Sequence, residues 1–181
     1  MIPIPGFIIS ILTFPGVIVH EFAHYFFCRI FRVAVFNVCF FRVGNPAGFV
    51  VHELPKYPWQ HVLIGIGPFF VNTLIGAIIG IPATLHIAEI GTPQIPDLIL
   101  LYFGISIAMH SFPSTGDAGS IWNTLYGDKS YKGNHILLKI IATPIVVLIY
   151  LGAFGSMLWL DALYGYSVVH FGAKLLVNWM A

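Results

Sequence analysis

The stretch PGVIVHEFAHYFF, residues 15–27, places His20, Glu21 and His24 within a run of otherwise apolar residues. Ionisable side chains are costly inside a membrane-spanning helix, and they mark functional sites there. Residues four positions apart share one face of a helix, so the two imidazoles can approach a single ion. Glu21 lies beside that face, where a carboxylate can take a proton from a metal-coordinated water. The HExxH spacing therefore predicts a helix that carries a zinc site.

The composition predicts a membrane protein. Of the 181 residues, 58% are hydrophobic and 8% are charged, and the mean hydropathy is +0.89. An average soluble domain is about one quarter charged, so these few charges cannot cover a soluble surface. The basic residues form no run suited to the phosphates of a nucleic acid. We expect one domain, residues 1–181, with the lipid bilayer as its surroundings.

Four apolar segments are long enough to cross a membrane as helices, which takes about 20 residues each. They cover residues 5–30, 60–85, 95–112 and 136–160. Residues 161–181 are a weaker segment, which we interpret as an interfacial or half-inserted helix. The sequence thus predicts a polytopic α-helical membrane protein.

The segment between the first two helices is rich in Val and Phe and predicts a β-hairpin. Strands are expected at residues 38–43 and 49–53, joined by the turn GNPAG at residues 44–48. An open sheet edge cannot face lipid. The hairpin should therefore lie at the membrane interface or beside a water-filled cavity.

The distribution of basic residues predicts the orientation in the membrane. The connection between helices two and three holds Glu89 and Asp97 and no basic residue. Seven of the eight basic residues belong to the other two connections or their edges: Arg29, Arg32, Arg42, Lys56, Lys129, Lys132 and Lys139. The positive-inside rule puts these connections in the cytoplasm. His20 would then lie within what we expect to be the cell membrane, nearer its cytoplasmic face.

A catalytic zinc site needs a third protein ligand and one open position. The HExxH spacing does not identify that ligand, and the candidates are His52, Glu53, His61, His110 and Asp117. We favour Asp117, because a break after Pro113 and a new helical turn would aim its carboxylate inward. Its alternative role is that of a helix N-cap. His110 is the next candidate.

With these residues identified, the chain resembles the site-2 protease family of intramembrane zinc metalloproteases. The likeness rests on HEFAH at residues 20–24, GPFFVN at residues 67–72 and GDAG at residues 116–119, in the family's order. It extends over residues 5–126 and includes the β-rich segment. Three residues separate Pro68 from Asn72 where the family usually has two, and Ala118 stands where a Gly usually follows the Asp. The chain would be a minimal core without a PDZ or CBS domain.

The resemblance implies a role for each matching residue. His20, His24 and Asp117 would bind Zn²⁺, Glu21 would be the catalytic base, and Asn72 would stabilise the substrate carbonyl or oxyanion. The hairpin, over residues 40–51, would hold an extended substrate as an added strand. Its substrate-binding residues would be Phe40, Phe41, Val43, Phe49 and Val50.

The implied function is hydrolysis of a peptide bond in a membrane-anchored protein or peptide, by attack of a zinc-bound water and without an acyl-enzyme. Three alternatives stay open. His20, Glu21 and His24 can form a metal-free polar cluster that holds helices together. A distant glutamate, Glu53 or Glu89, can be the third ligand, as in other membrane zinc proteases. Finally, the chain can be a catalytically inactive zinc-binding scaffold or a transporter.

Overall fold

The computed structural model describes residues 6–127, 131, 135–156 and 158–180. Within these ranges the chain is mostly helical, with one two-stranded antiparallel sheet. The helices are α1 (Gly6–Leu12), α2 (Phe14–Ile30), α3 (Pro58–Ile90), α4 (Ile95–Met109), α5 (Thr115–Trp122), α6 (Ile136–Ser156) and α7 (Leu160–Met180). The strands are β1 (Val35–Cys39) and β2 (Phe49–His52), and a π-helical turn (Asn123–Gly127) follows α5. Pro5, Lys129 and Lys132, which enter the predictions above, lie outside the described residues.

Two of the described helices, α3 and α6, are long and apolar enough to cross a membrane. The apolar helix α4 is shorter, at 15 residues. The helical segments predicted at residues 60–85, 95–112 and 136–160 correspond to α3, α4 and α6. Helix α3 extends beyond its predicted bounds, whereas α4 ends at Met109 and α6 ends at Ser156, short of theirs. Helix α3 continues through both Pro68 and Pro82.

The first predicted helix, residues 5–30, is interrupted at Thr13, which separates α1 from α2. The Thr13 hydroxyl donates to the Ile9 carbonyl at 2.6 Å, so it closes the last turn of α1. Pro15 has no N–H to continue the hydrogen bonding of α1, and it occupies the first turn of α2, where none is needed. The break therefore follows from the local sequence.

The sheet has a different register from the predicted hairpin. Its second strand agrees with the prediction, whereas β1 covers Val35–Cys39 instead of residues 38–43. Val38 pairs with Val50 and Cys39 pairs with Phe49. The connection between the strands is therefore longer than the predicted five-residue turn.

Phe40, Phe41 and Val43 lie outside the sheet, which corrects the predicted first strand. Phe40 packs edge-on against Tyr25 of α2, with ring centroids 6.1 Å apart, and Phe41 packs against Phe14 at 5.8 Å. Both aromatic rings gain contact with α2 once the chain leaves the strand pairing. Val43 is 74% exposed.

Glycines allow the central helices to approach closely. A Cβ atom at Gly104 of α4 would lie 2.6 Å from Gly80 Cα and 2.8 Å from Gly80 N of α3. Gly76 of α3 similarly faces Ala108 of α4. Small residues at such crossings permit backbone contact between membrane helices. These contacts fix α4 against α3, and the end of α4 contributes to the site described below.

The C-terminal segment is a helix of 21 residues, α7, that begins at Leu160, where the fourth predicted helix was expected to end. It packs against both α3 and α4. Val169 of α7 faces Gly80, and a Cβ at Gly165 would lie 2.7 Å from the Ile105 carbonyl oxygen. The segment is thus part of the helix bundle, and its partial insertion into a membrane stays a prediction.

Helix α5 is held against α3 and α6 by a buried apolar cluster. The cluster contains Val62, Ala118, Ile121, Leu125, Ala142, Val146 and Ile149. Ala118 and Ile121 are completely buried. This packing fixes the orientation of α5 and hence of Asp117, which precedes Ala118.

We expect Gly104→Ala to lower the thermal unfolding midpoint in detergent, followed by circular dichroism. The new methyl group would meet backbone atoms of Gly80, and overpacking of this kind costs about 1–3 kcal/mol. Gly119→Ala is the matched control, because the nearest atom to its Cβ is 3.8 Å away. Helix propensity alone favours alanine over glycine by about 1 kcal/mol. An equal rise of the unfolding midpoint in both variants would therefore contradict close α3–α4 packing.

Candidate metal centre

His20 and His24 lie one turn apart on a buried face of α2. Their imidazole rings are edge-to-face, with centroids 4.9 Å apart. Their Nε2 atoms are 3.2 Å apart. The pairing predicted from the i, i+4 spacing is therefore present in the structure.

Each imidazole is held in one tautomer by a backbone carbonyl. His20 Nδ1 donates to the His110 carbonyl at 2.7 Å, and His24 Nδ1 donates to the Ile64 carbonyl at 2.9 Å. A carbonyl oxygen only accepts, so in both neutral rings Nδ1 carries the hydrogen and Nε2 carries the lone pair. Two lone pairs that face each other repel unless a cation or a proton lies between them. The arrangement of the rings thus favours either a bound cation or a proton shared between the two nitrogens.

A glycine permits this geometry on α2. A Cβ atom at Gly16, one turn before His20, would collide with the Ser106 carbonyl oxygen and with the His110 ring. With glycine there, α2 lies against the end of α4, and His20 reaches the His110 carbonyl.

Asp117 supplies a carboxylate beside the two imidazoles. Its Oδ1 lies 3.4 Å from His24 Nε2, and its Oδ2 lies 3.8 Å from His20 Nε2. Two ligands at 2.0–2.1 Å from a tetrahedral zinc ion are about 3.3–3.4 Å apart. His20, His24 and Asp117 therefore form a largely buried group that can hold a metal ion.

Asp117 also caps helix α5, although Ser114 is the N-cap residue. The Ser114 backbone N–H and hydroxyl both donate to Asp117 Oδ2 at 2.7 Å, and Asp117 N–H donates to Ser114 Oγ at 3.2 Å. This capping box holds one carboxylate oxygen and leaves Oδ1 facing His24. Asp117 is therefore not the N-cap residue predicted as its alternative role, but the third helical residue of the capping box. Its carboxylate also lies where it could bind a metal ion.

The donor set fits zinc. Two neutral imidazoles and one carboxylate are ligands that Zn²⁺ accepts in catalytic sites with three protein ligands. The hydrogen bonds of the two Nδ1 atoms are also typical of metal ligands, because ligating histidines usually donate their other ring N–H to a carbonyl or a carboxylate. No cysteine belongs to the group, so a site built on thiolates is not indicated.

Glu21 and the three candidate ligands line one cavity of about 520 Å³. This volume is in the range of binding sites for small ligands, about 300–1,000 Å³. Within the described part of the chain, no hydrogen bond or ion pair engages the Glu21 carboxylate. A Cβ at Gly48 would collide with Glu21 Cγ, so a glycine is required where the hairpin connection passes the carboxylate.

The hairpin forms the opposite wall of the cavity. Phe49 and Val50 line it together with residues 45–48, as predicted for a substrate-presenting segment, whereas Phe40, Phe41 and Val43 do not. Phe40 and Phe41 instead pack on α2, as described above. Substrate binding by the hairpin stays a prediction.

Asn72 is completely buried and does not line the cavity. Its amide nitrogen lies 3.1 Å from the carbonyls of Gly16 and Ile107 and 3.2 Å from the carbonyl of His110. It therefore holds the same carbonyl that accepts from His20. Its predicted donation to a substrate oxyanion stays a prediction, and in this structure the amide N–H groups face backbone carbonyls.

The other histidine candidates contact other groups. His110 Nε2 lies 2.7 Å from the Thr13 hydroxyl. His61 contacts the hydroxyls of Ser120 and Thr124, at 2.9 and 2.6 Å. His52 donates to the Glu53 carbonyl. Among the described residues, the metal group contains none of them and no glutamate.

Sequence reasoning missed the contributions of Ser114 and of the His110 carbonyl. The Ser114–Asp117 spacing is that of a capping box, and this signal was available in the sequence. The carbonyl carries no sequence signal of its own. No family model, curated protein or solved structure matches the chain. The likeness to the site-2 protease family therefore stays a prediction that rests on the three sequence motifs.

We expect Asp117→Ala to weaken zinc binding by at least about 100-fold, because it removes one of three ligands. The measurement is competition for zinc with a chromophoric chelator in detergent. His110→Ala is the matched control, since the backbone carbonyl that holds His20 remains. Loss of zinc in His110→Ala, with retention in Asp117→Ala, would reverse the assignment of the third ligand.

Proposed function

We propose that the chain is a zinc-dependent intramembrane endopeptidase that hydrolyses a peptide bond of a membrane-anchored protein or peptide. One observation carries the proposal. Two Nε2 lone pairs, a carboxylate oxygen and the Glu21 carboxylate, which no other described residue engages, meet at the wall of one cavity. This combination is the requirement for metal-assisted hydrolysis with a general base.

Each residue of the site would have a separate role in the hydrolysis. When bound, Zn²⁺ supplies a Lewis acid and lowers the pKa of a coordinated water to about 7. His20, His24 and Asp117 would hold the ion through three protein ligands and leave one position open. Glu21 would take the proton of the attacking water and deliver it to the leaving amine. Neither carboxylate becomes covalently attached to the substrate in this scheme.

The proposal includes a membrane location. Helices α3 and α6 can cross a bilayer by their length and composition, and α2 and α4 would cross with them as a polytopic bundle. The basic connections would lie in the cytoplasm, and the metal group would then lie nearer the cytoplasmic face of the cell membrane.

The hairpin supports a peptide substrate. A membrane-spanning helix hides its peptide bonds in its own hydrogen bonds, so a substrate must be extended before hydrolysis. Strand β2 contributes Phe49 and Val50 to the cavity wall. An extended peptide beside this strand would find main-chain hydrogen-bonding groups.

We expect Glu21→Gln to reduce peptide cleavage by at least about 100-fold, because it removes the general base. Its zinc content should equal that of the wild type, since the three ligands remain. The measurement is cleavage of a panel of tagged single-span peptides in liposomes, with zinc determined on the same samples. Glu53→Gln is the matched control, because Glu53 is exposed and lies outside the cavity lining.

Undiminished cleavage by purified Glu21→Gln protein would remove the proposed mechanism. Stoichiometric zinc in a wild type that cleaves none of the peptides would favour the catalytically inactive scaffold. Absence of zinc would favour the metal-free cluster of His20, Glu21 and His24.

A further inference from the structure

The carbonyl that holds His24 belongs to the middle of a helix. His24 Nδ1 donates to the Ile64 carbonyl, and Ile64 is the seventh residue of α3, which continues to Ile90. In an α-helix this carbonyl accepts from the N–H of the residue four positions later. An ordinary helical carbonyl would already have a partner.

The residue four positions after Ile64 is Pro68, which has no N–H. The Ile64 carbonyl is therefore left without its helical donor. Ile64 and Pro68 are each no more than 2% exposed. A buried carbonyl without a donor is unfavourable, and His24 supplies the missing N–H.

We propose that Pro68 is a positioning residue for the metal site. Because Pro68 has no backbone N–H, the Ile64 carbonyl has no helical donor and can accept from His24 Nδ1. This hydrogen bond orients the His24 ring so that the Nε2 lone pair faces the metal. This inference rests on the zinc site of the proposed function. It gives Pro68 a role that differs from the helix kink expected at a proline.

The second histidine is held by the same principle. In a continued α4, the His110 carbonyl would accept from the N–H of Ser114. Helix α4 ends at Met109, and the Ser114 N–H instead donates to Asp117 Oδ2 at 2.7 Å. The His110 carbonyl is thereby available to His20 Nδ1. Both imidazoles bind carbonyls whose regular helical donors are missing.

The test compares Pro68→Ala and Pro68→Val with Pro82→Ala. Alanine and valine both restore an N–H at position 68, which then competes with His24 for the Ile64 carbonyl. Valine also restores most of the volume that alanine removes. Pro82 is the control, because it is in the same helix and likewise provides no N–H, here for the carbonyl of Ile78. The Ile78 side chain is 62% exposed and does not line the cavity.

The probe is Zn²⁺, and the measured quantity is its dissociation constant by chelator competition on the full chain in detergent. Loss of a contact to a ligating histidine typically weakens metal binding by about 10–100-fold. We expect a weakening in this range for both Pro68 variants and less than about 2-fold for Pro82→Ala. The visible spectrum of the Co²⁺-loaded protein should change only in the Pro68 variants.

Folding should not obscure the result, since a helix interior strongly favours alanine over proline. Wild-type affinity in Pro68→Ala would overturn the inference. Restoration of affinity in Pro68→Val would show a packing effect and overturn it as well, as would equal weakening in Pro82→Ala. Failure of the wild type to bind zinc would instead overturn the proposed function.

Discussion

Two hydrogen bonds, from His20 Nδ1 to the His110 carbonyl and from His24 Nδ1 to the Ile64 carbonyl, are the constraint on which the site depends. They determine the tautomer of each ring and leave both Nε2 lone pairs facing one point. An apolar bundle offers few free acceptors, because helices use their own carbonyls. The site therefore needs places where the hydrogen bonding of a helix is interrupted, and these lie at Pro68 and at the end of α4.

The same interruptions organise the remaining residues. The segment after α4 frees the His110 carbonyl, begins α5 at a capping box and brings Asp117 to the imidazoles. Asn72 then adds a second donor to the His110 carbonyl. Gly16 and Gly48 provide the close approaches that let α2 meet the end of α4 and let the hairpin connection pass Glu21. The packing of the helices thus determines the geometry of the candidate metal site through a few backbone carbonyls and glycines.

The parts of the site that depend on local spacing were predictable from the sequence. The pair His20 and His24 follows from the helical repeat. A break before the helical turn of Asp117 was also expected, although it lies at residues 110–114 and not after Pro113, since α5 begins at Thr115. The first strand was misplaced because Phe40 and Phe41 suit a strand by propensity but pack on α2, a tertiary preference that overrides propensity. The partners of Asn72 depend on how three helices are rotated against one another, and no pattern within a single helix contains that information.

The central claim is that His20, His24 and Asp117 share one zinc ion, and X-ray absorption at the zinc edge of the purified full chain tests it most directly. We predict one zinc per chain, nitrogen and oxygen ligands at about 2.0–2.2 Å, and multiple scattering from two imidazoles. Asp117→Ala should remove an oxygen ligand or the metal itself. Sulfur at about 2.3 Å, a single imidazole, or no zinc retained after dialysis would contradict the claim.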